Sequence, residues 1–353
     1  MTGEEKSAAM GRRVGAGSGP GISVAMATYN GERFLMEQLE SLACQSRQPD
    51  ELIVSDDGST DGTCELVRSF AAKVPFAVRL LVNERNLGVN GNFDRAIAAC
   101  NGDIILPCDQ DDVWLPEKVG KLVDVLGRHP SAAMAISNSE IVDRTLQPIG
   151  RDLYAIKFPQ IEQLHRRGVG TVRFLLTNWA VAGHTMAFRK IPALVMPASQ
   201  IAADCTYDFA RALVTGATRD IVTIPDRLTR YRRHSAQVTN EGALLPTRME
   251  QLRRKISNVF RGKRSSMAEC REFARDLLQI RDGLRRLGAE NDVIDFFQGH
   301  ATMVLFQAGL RSRSRLGRMP EILRCLVDGR YHRYARGALT ALQDLFVSPA
   351  RTR

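Results

Sequence analysis

The chain has 353 residues, 44% of them hydrophobic, so it is long enough for one large domain with an appendage or for two domains. Seven cysteines, odd in number and with no CxxC pair, exclude a disulfide framework or a thiolate zinc site and point to reduced thiols in a cytosolic setting. The net charge of +10 is unevenly placed: residues 245–353 hold 22 Lys+Arg against 11 Asp+Glu, while residues 1–244 hold 27 against 28.

Residues 1–20 are Gly, Ser and charge without periodicity and read as a disordered tail. Their glycines do not form a dinucleotide loop, because Pro20 breaks the GxGxxG spacing and the run precedes the first strand. No signal peptide opens the chain, and no apolar run is long enough to span a bilayer.

From residue 21 the pattern alternates. ISVAMA (22–27) predicts a strand, and Asn30 is placed to cap a helix over 31–46. ELIVS (51–55), AVRLLV (77–82) and DIILPC (103–108) predict three more strands, with helices over 61–72 and 90–100 between them. A further helix, over 116–128, has Pro116 in its first turn, where proline is favoured. Strand–helix alternation of this kind means an α/β fold with a doubly wound, mainly parallel sheet over residues 21–244. Ligands of such sheets bind at the carboxyl ends of the strands. The polar clusters ATYN, DDGSTD and DQDD all fall there.

Between 130 and 240 strands are expected at 132–137, 181–188, 220–224 and 228–233, and helices at 169–177 and 205–215. Residues 245–353 read as a basic helical region, with helices near 246–260, 266–287, 291–309 and 333–346.

The chemistry concentrates in DQDD (109–112). In extended chain Asp109 and Asp111 point to one side. Two such carboxylates suit a hard divalent cation with room for phosphate oxygens. A helix cap by Asp111 or Asp112 explains one aspartate and not three.

The segments VAMATYNGERFLMEQLESLACQS, ELIVSDDGSTDGT, NERNLGVNGNFDRAI and GDIILPCDQDDVWLPEKV, in that order, resemble glycosyltransferase family 2. The spelling is most similar to bacterial rhamnosyltransferase-like polysaccharide enzymes, over residues 22–130 most closely. The resemblance implies a GT-A fold, a nucleotide-sugar donor (dTDP-L-rhamnose, or a UDP-sugar) and a saccharide or lipid-linked acceptor. It implies that the loop of Ala27, Tyr29, Asn30 and Glu32 flanks the nucleoside, that Asp57 meets the pyrimidine with support from Asp56, and that Asn86 and Gly88 approach the nucleotide. Asp61 is read as a helix cap. The resemblance further implies Asp109 near ribose and metal, Asp111 as principal ligand of Mg²⁺ or Mn²⁺, and Asp208 as the base that deprotonates the acceptor, with Asp204 its rival. In RYRRH (230–234) it implies His234 as a further ligand and Arg232 or Arg233, with Arg233 preferred, as the grip on the diphosphate. His184 is a candidate sugar or acceptor contact, and Trp114 and Trp179 are packing or acceptor platforms. No nucleophilic side chain is evident, which fits a single inverting displacement.

Three other functions compete. A non-catalytic nucleotide or carbohydrate module would not need both DQDD and Asp208. A nucleotidyltransferase would carry a glycine-rich loop with Lys or Arg after the first strand, and ATYNGERF lacks the glycine run. A nucleic-acid binder would carry aromatic-interleaved basic motifs, which are missing. The basic 245–353 segment instead predicts peripheral attachment to an anionic membrane on its cytoplasmic face, through Phe296, Phe297, Val304, Leu305, Phe306 and the stretch 330–346. A sheet cover or homo-oligomer contact is the alternative for that segment.

Overall fold

The computed structural model describes residues 19–157, 164, 166–178, 181–201, 206–234, 267–310, 312–335 and 337–346. Strands β1 (Ile22–Thr28), β2 (Glu51–Asp56), β3 (Ala77–Val82) and β4 (Ile104–Cys108) lie close to their expected positions. Helices α1 (Glu32–Ala43), α2 (Thr63–Ala71) and α3 (Gly88–Ala99) connect them. After β4 come the two-residue β5 (Val113–Trp114), α4 (Lys118–Arg128), β6 (Ala132–Val142), β7 (Pro148–Asp152), α5 (Leu153–Lys157) and α6 (Val169–Asn178). Then follow β8 (Met186–Arg189), α7 (Pro192–Val195), α8 (Tyr207–Thr218) and β9 (Asp220–Arg232). The C-terminal helices are α9 (Met267–Arg286), α10 (Asn291–Leu310), α11 (Arg315–Val327), α12 (Arg330–Tyr334) and α13 (Ala338–Phe346).

The sheet order is β3-β2-β1-β4-β8-β6-β9-β5, with β7 on β6. β1 to β4 are parallel; β8 runs against both β4 and β6, and β9 runs parallel to β6. The carboxyl ends of β1, β2, β4, β6 and β9 therefore open on one edge, together with the amino end of β8. Strand residues alternate between faces. Val24, Met26, Leu52, Val54 and Leu106 pack with α1, α2 and α4, while Ala25, Ile53 and Ile105 share the opposite core.

That second core also contains Leu277, Leu284, Val293, Phe296 and Phe297, so α9 and α10 are built onto the sheet's own core. Phe296 and Phe297, expected on a membrane-facing surface, are buried instead, because they fill the space beside α6 and α8. The stretch 330–346, expected as one interfacial helix, is two short helices separated at Gly337, whose φ of 68° is left-handed, and Tyr331 within it is fully buried. The helix expected at 246–260 lies outside the described residues.

Four local expectations change for identifiable reasons. Gly31, not Asn30, caps α1; Asn30 has φ 47° and its Oδ1 accepts the Thr60 N–H. Pro116 precedes α4, and its carbonyl accepts both Ser46 N–H and Oγ–H. The strand expected at 181–188 begins only at Met186, after a 3-10 turn over Gly183–Thr185. The strands expected at 220–224 and 228–233 are one strand, since β6 pairs with it on both sides of an irregularity that contains Pro225.

Candidate active site

The DQDD segment is not extended: the chain bends at residues 110–111 between β4 and β5. Both ends of the bend are tied down. Gln110 Oε1 accepts the Tyr29 N–H at 2.9 Å and its Nε2 donates to the Tyr29 carbonyl at 3.1 Å. A Cβ on Gly31 would stand 2.3 Å from that Oε1, so only glycine leaves the clamp room. From the other side Arg232, which is buried, donates its N–H to Asp112 Oδ1 at 3.0 Å and its Nε–H to the Asp111 carbonyl at 2.7 Å. Arg232 also pairs with Glu37 and lies over the Phe34 ring. It therefore fixes the loop; Arg233 beside it is partly exposed and bonds Tyr231 Oη.

Because of the bend, the i, i+2 expectation fails and different carboxylates converge. Ligand atoms of Asp109, Asp112 and His184 all lie within 4.8 Å of one another. His184 Nδ1 is 3.7 Å from Asp109 Oδ2 and 3.7 Å from Asp112 Oδ2. Its Nε2 meets Ser139 Oγ at 3.0 Å and its ring stacks on Tyr231, which sets the direction of Nδ1. Asp112 Oδ2 is buried and has no hydrogen-bond partner among the described residues. An unpaired buried carboxylate oxygen is costly, and a cation satisfies it. Two carboxylates and an imidazole form a donor set suited to a divalent ion. Asp111 is not one of these three but is near enough for its charge to act on Asp109 and Asp112; its Oδ2 bonds His234 Nε2 at 2.8 Å, and the His234 ring packs on Phe34. The expected grouping of Asp109 with Asp111 and His234 is thus divided into two sets.

The electrostatics follow from burial. Asp109 is pushed up to about 7, first by burial and then by the charges of Asp111 and Asp208. Burial, with Asp111 and Asp109 adding to it, holds Asp112 well above the carboxylate range. Beneath them Lys118 is fully buried; its Nζ donates to the His184 carbonyl at 2.5 Å and to Thr229 Oγ1 at 2.8 Å, and lies 3.7 Å from the Trp114 ring centre. Burial lowers its pKa to about 7 against the opposing pull of Cys108, Asp112 and Asp109. Trp114 is accordingly a packing residue. Trp179 and Asp204 lie outside the described residues.

Asp208 sits in the first turn of α8, close enough for its charge to act on Asp109. Gly183 N–H donates to Asp208 Oδ2 at 3.0 Å and Phe209 N–H to Oδ1 at 2.7 Å. The helix start is held by Asn90 Oδ1, which accepts Tyr207 N–H, and by the buried Arg211–Asp94 pair at 2.8 Å. Tyr207 stacks on Phe93 with centroids 3.8 Å apart. A Cβ on Gly183 would fall 1.8 Å from Tyr207 Oη. Gly183→Ala is expected to destabilise the protein by about 1–3 kcal/mol and to lower any activity that depends on Asp208. Thermal melts and turnover of that variant check both effects; an unchanged melting temperature refutes the packing claim.

At the β1–β2 end of the same edge, Tyr29 is half exposed. Asp57 is buried, accepting from Asn83 Nδ2 (2.7 Å), Leu87 N–H (2.7 Å) and Gly88 N–H (2.9 Å), so it anchors the start of α3. Asn86 reinforces that turn through its bond to the Asp57 carbonyl. Asp56 accepts from Thr28 Oγ1 and from both Ser59 donors. Glu32 and Asp61 are reciprocal: Asp61 accepts Glu32 N–H, and Glu32 accepts Gly62 N–H. Asp61 also accepts Thr63 N–H at the start of α2. Ala27 lies part-buried in the last turn of β1 before this loop. The residues that sequence reasoning missed, Gln110, Lys118 and Ser139, act across strands and leave no local periodic signal.

Residues 23–194 match the family profile described as glycosyl transferase family 2. A protein of Mycobacterium tuberculosis, Rv1520, is 30% identical over 224 residues, which are 61% of this chain and 59% of that protein. The dTDP-rhamnosyl transferase RfbG of Shigella flexneri is 37% identical over 105 residues, 29% of this chain and 36% of RfbG. Among solved structures, S. aureus TarS 1-349 in complex with UDP-GlcNAc superimposes with a TM-score of 0.54 at 17% identity, covering 92% of this chain and 90% of that one. That likeness shows the fold, a curled, mainly parallel sheet flanked by helices of the GT-A type. The chain spans about 59% of the length of the first curated relatives it matches. Residues 23–194, just under half of the chain, thus carry a glycosyl transferase family 2 domain.

Proposed function

We propose that the protein is an inverting, divalent-metal-dependent glycosyltransferase. It takes a sugar from a nucleoside-diphosphate donor and passes it to a saccharide or lipid-linked acceptor hydroxyl. The observation that carries this reading is the convergence of Asp109, Asp112 and His184 at the strand ends, with Asp208 beside them. Asp109, Asp112 and His184 would hold Mg²⁺ or Mn²⁺, which when bound would supply positive charge to offset that of the departing diphosphate. Tyr29 and the neighbouring loop receive the nucleoside, and Arg233 meets phosphate oxygens. Asp208 takes the proton of the attacking hydroxyl. The donor is assigned as dTDP-L-rhamnose, on the likeness to RfbG, with a UDP-hexose as the runner-up.

Calorimetric titration of dTDP and UDP with Mn²⁺, Mg²⁺ or EDTA tests the metal requirement; equal affinity in EDTA overturns it. Turnover with a UDP-sugar and none with dTDP-rhamnose replaces the donor assignment. The pH dependence has a definite sign. Below about pH 7 Asp109 retains a proton that a cation must displace, so Mn²⁺ affinity is expected to fall roughly tenfold per pH unit on the acid side. In protein stability the same shift runs the opposite way. A carboxyl whose folded pKa is raised loses stability as pH climbs from its unfolded value of 3.8 through about 7. Added Mn²⁺ therefore raises the melting temperature more at pH 8 than at pH 6, and a pH-independent shift refutes the assignment.

A further inference from the structure

Helix α11 presents apolar side chains to solvent on the side away from the core. Leu316, Met319, Leu323 and Val327 are 80%, 42%, 55% and 89% exposed. At about 100° per residue these four fall within an arc of about 80°. The opposite face, Arg318, Ile322 and Cys325, is buried, and Arg318 is consumed internally by the carbonyls of Arg313 and Asp344. The helix is begun by Ser314, whose Oγ accepts Gly317 N–H, and Pro320 interrupts its ladder on the exposed side. A surface helix in solution points its polar face outward. Here the exposed face is apolar as well as the buried one, and a contiguous exposed apolar face marks a contact surface.

Charge identifies what the face meets. Arg315 and Arg324, both exposed, stand about 40° and 60° outside the apolar arc, one on each side. Residues 311–353 contain ten arginines against three acidic residues. A second copy of the chain is a poor occupant, because a two-fold contact of this stripe with itself brings these arginines together. An anionic lipid surface satisfies both features: the leucines, methionine and valine enter the acyl boundary while the flanking guanidinium groups stay at the headgroups.

We infer that the face Leu316–Met319–Leu323–Val327, framed by Arg315 and Arg324, docks the protein in the plane of an anionic bilayer. This surface is separate from the strand-end site and holds whatever that site transfers. It differs from the sequence-based expectation, which placed the contact on Phe296, Phe297, Val304, Leu305, Phe306 and residues 330–346.

Co-sedimentation of the full chain with phosphatidylcholine vesicles, with and without phosphatidylglycerol, tests the inference. Binding is expected only to the phosphatidylglycerol vesicles and is expected to weaken at high salt. The doubly substituted Leu316→Asp/Leu323→Asp chain is expected to bind at least roughly tenfold more weakly, as is Arg315→Glu/Arg324→Glu. All six positions of the surface point away from the core, so the melting temperature and nucleoside-diphosphate affinity of both variants serve as controls and should not move. Lack of vesicle binding by the unaltered chain overturns the inference. Undiminished binding by the leucine variant also overturns it, by placing the contact elsewhere in the basic segment. A dimer in sedimentation velocity that the leucine variant dissociates, without vesicle binding, replaces it with a self-association face.

Discussion

Asp208→Asn is expected to lower turnover by a factor of about 10²–10⁴ while donor affinity stays within about threefold. The asparagine retains an oxygen to accept the Gly183 N–H, so the loop over Gly183–Thr185 and the start of α8 keep their anchor. What is lost is the basic oxygen that receives the acceptor's proton. A second readout separates this role from a structural one. The Asp208 charge helps to hold Asp109 high, so removing it lets Asp109 ionise at lower pH. The acid limb of Mn²⁺ binding is therefore expected to move downward in pH. Near-normal turnover in the variant sinks the assignment and makes Asp204 the base to test. Product NMR is expected to show inversion at the anomeric carbon; retention would require a second carboxylate near that atom.

Much of the fold was legible because strands β1, β2 and β4 are buried on both faces and carry dense runs of Val, Ile, Leu and Met between turn signals. Their order and parallel direction place ATYN, DDGSTD and DQDD on one edge before any coordinate is known. Pairing across distant segments was less legible. Nothing local in GHT shows that residue 184 meets residues 109 and 112, because that contact exists only when β8 inserts between β4 and β6. The bend at residues 110–111 is likewise enforced from outside, by Tyr29 and Arg232, and the tight grouping of Asp109 with Asp112 and His184 is one that an extended reading of DQDD does not give. Helix α11 escaped notice for a different reason. Gly317 and Pro320 lower its intrinsic propensity, and its stability comes from the buried face and the internal bonds of Arg318.

The Lys118 ammonium illustrates how the site is maintained between sheet and loop. It is a buried cation on a strand-facing helix, bonded to a carbonyl and a hydroxyl, and its charge lies under Asp109 and Asp112. Its bond to the His184 carbonyl ties the 3-10 turn over Gly183–Thr185 to α4. Through Gly183 the same turn touches Asp208, so the metal-type cluster and the proposed base share one mechanical support.

Two groupings of ligands are on offer, and paired substitutions distinguish them. If the cation is held by Asp109, Asp112 and His184, then Asp112→Asn and His184→Ala are each expected to weaken Mn²⁺ binding by about 100-fold or more. His234→Ala is expected to weaken it by less than about tenfold, since His234 Nε2 bonds Asp111, which is outside the Asp109–Asp112–His184 group. Asp112→Asn is the cleaner probe. Its Oδ1 still accepts Arg232 N–H, so the loop remains fixed, and only the partnerless Oδ2 is replaced. The stability readout has an unusual sign. Asp112 is held well above the usual carboxylate range by burial, so its ionised form costs stability at pH above the unfolded value. In EDTA at pH 8 the asparagine variant is therefore expected to melt at the same temperature as the parent or higher. The parent alone gains melting temperature when Mn²⁺ is added. A variant that melts lower in EDTA and still responds fully to Mn²⁺ would assign Asp112 to the scaffold. A full loss of binding in His234→Ala, with His184→Ala unaffected, would return the ligand set to Asp111 and His234.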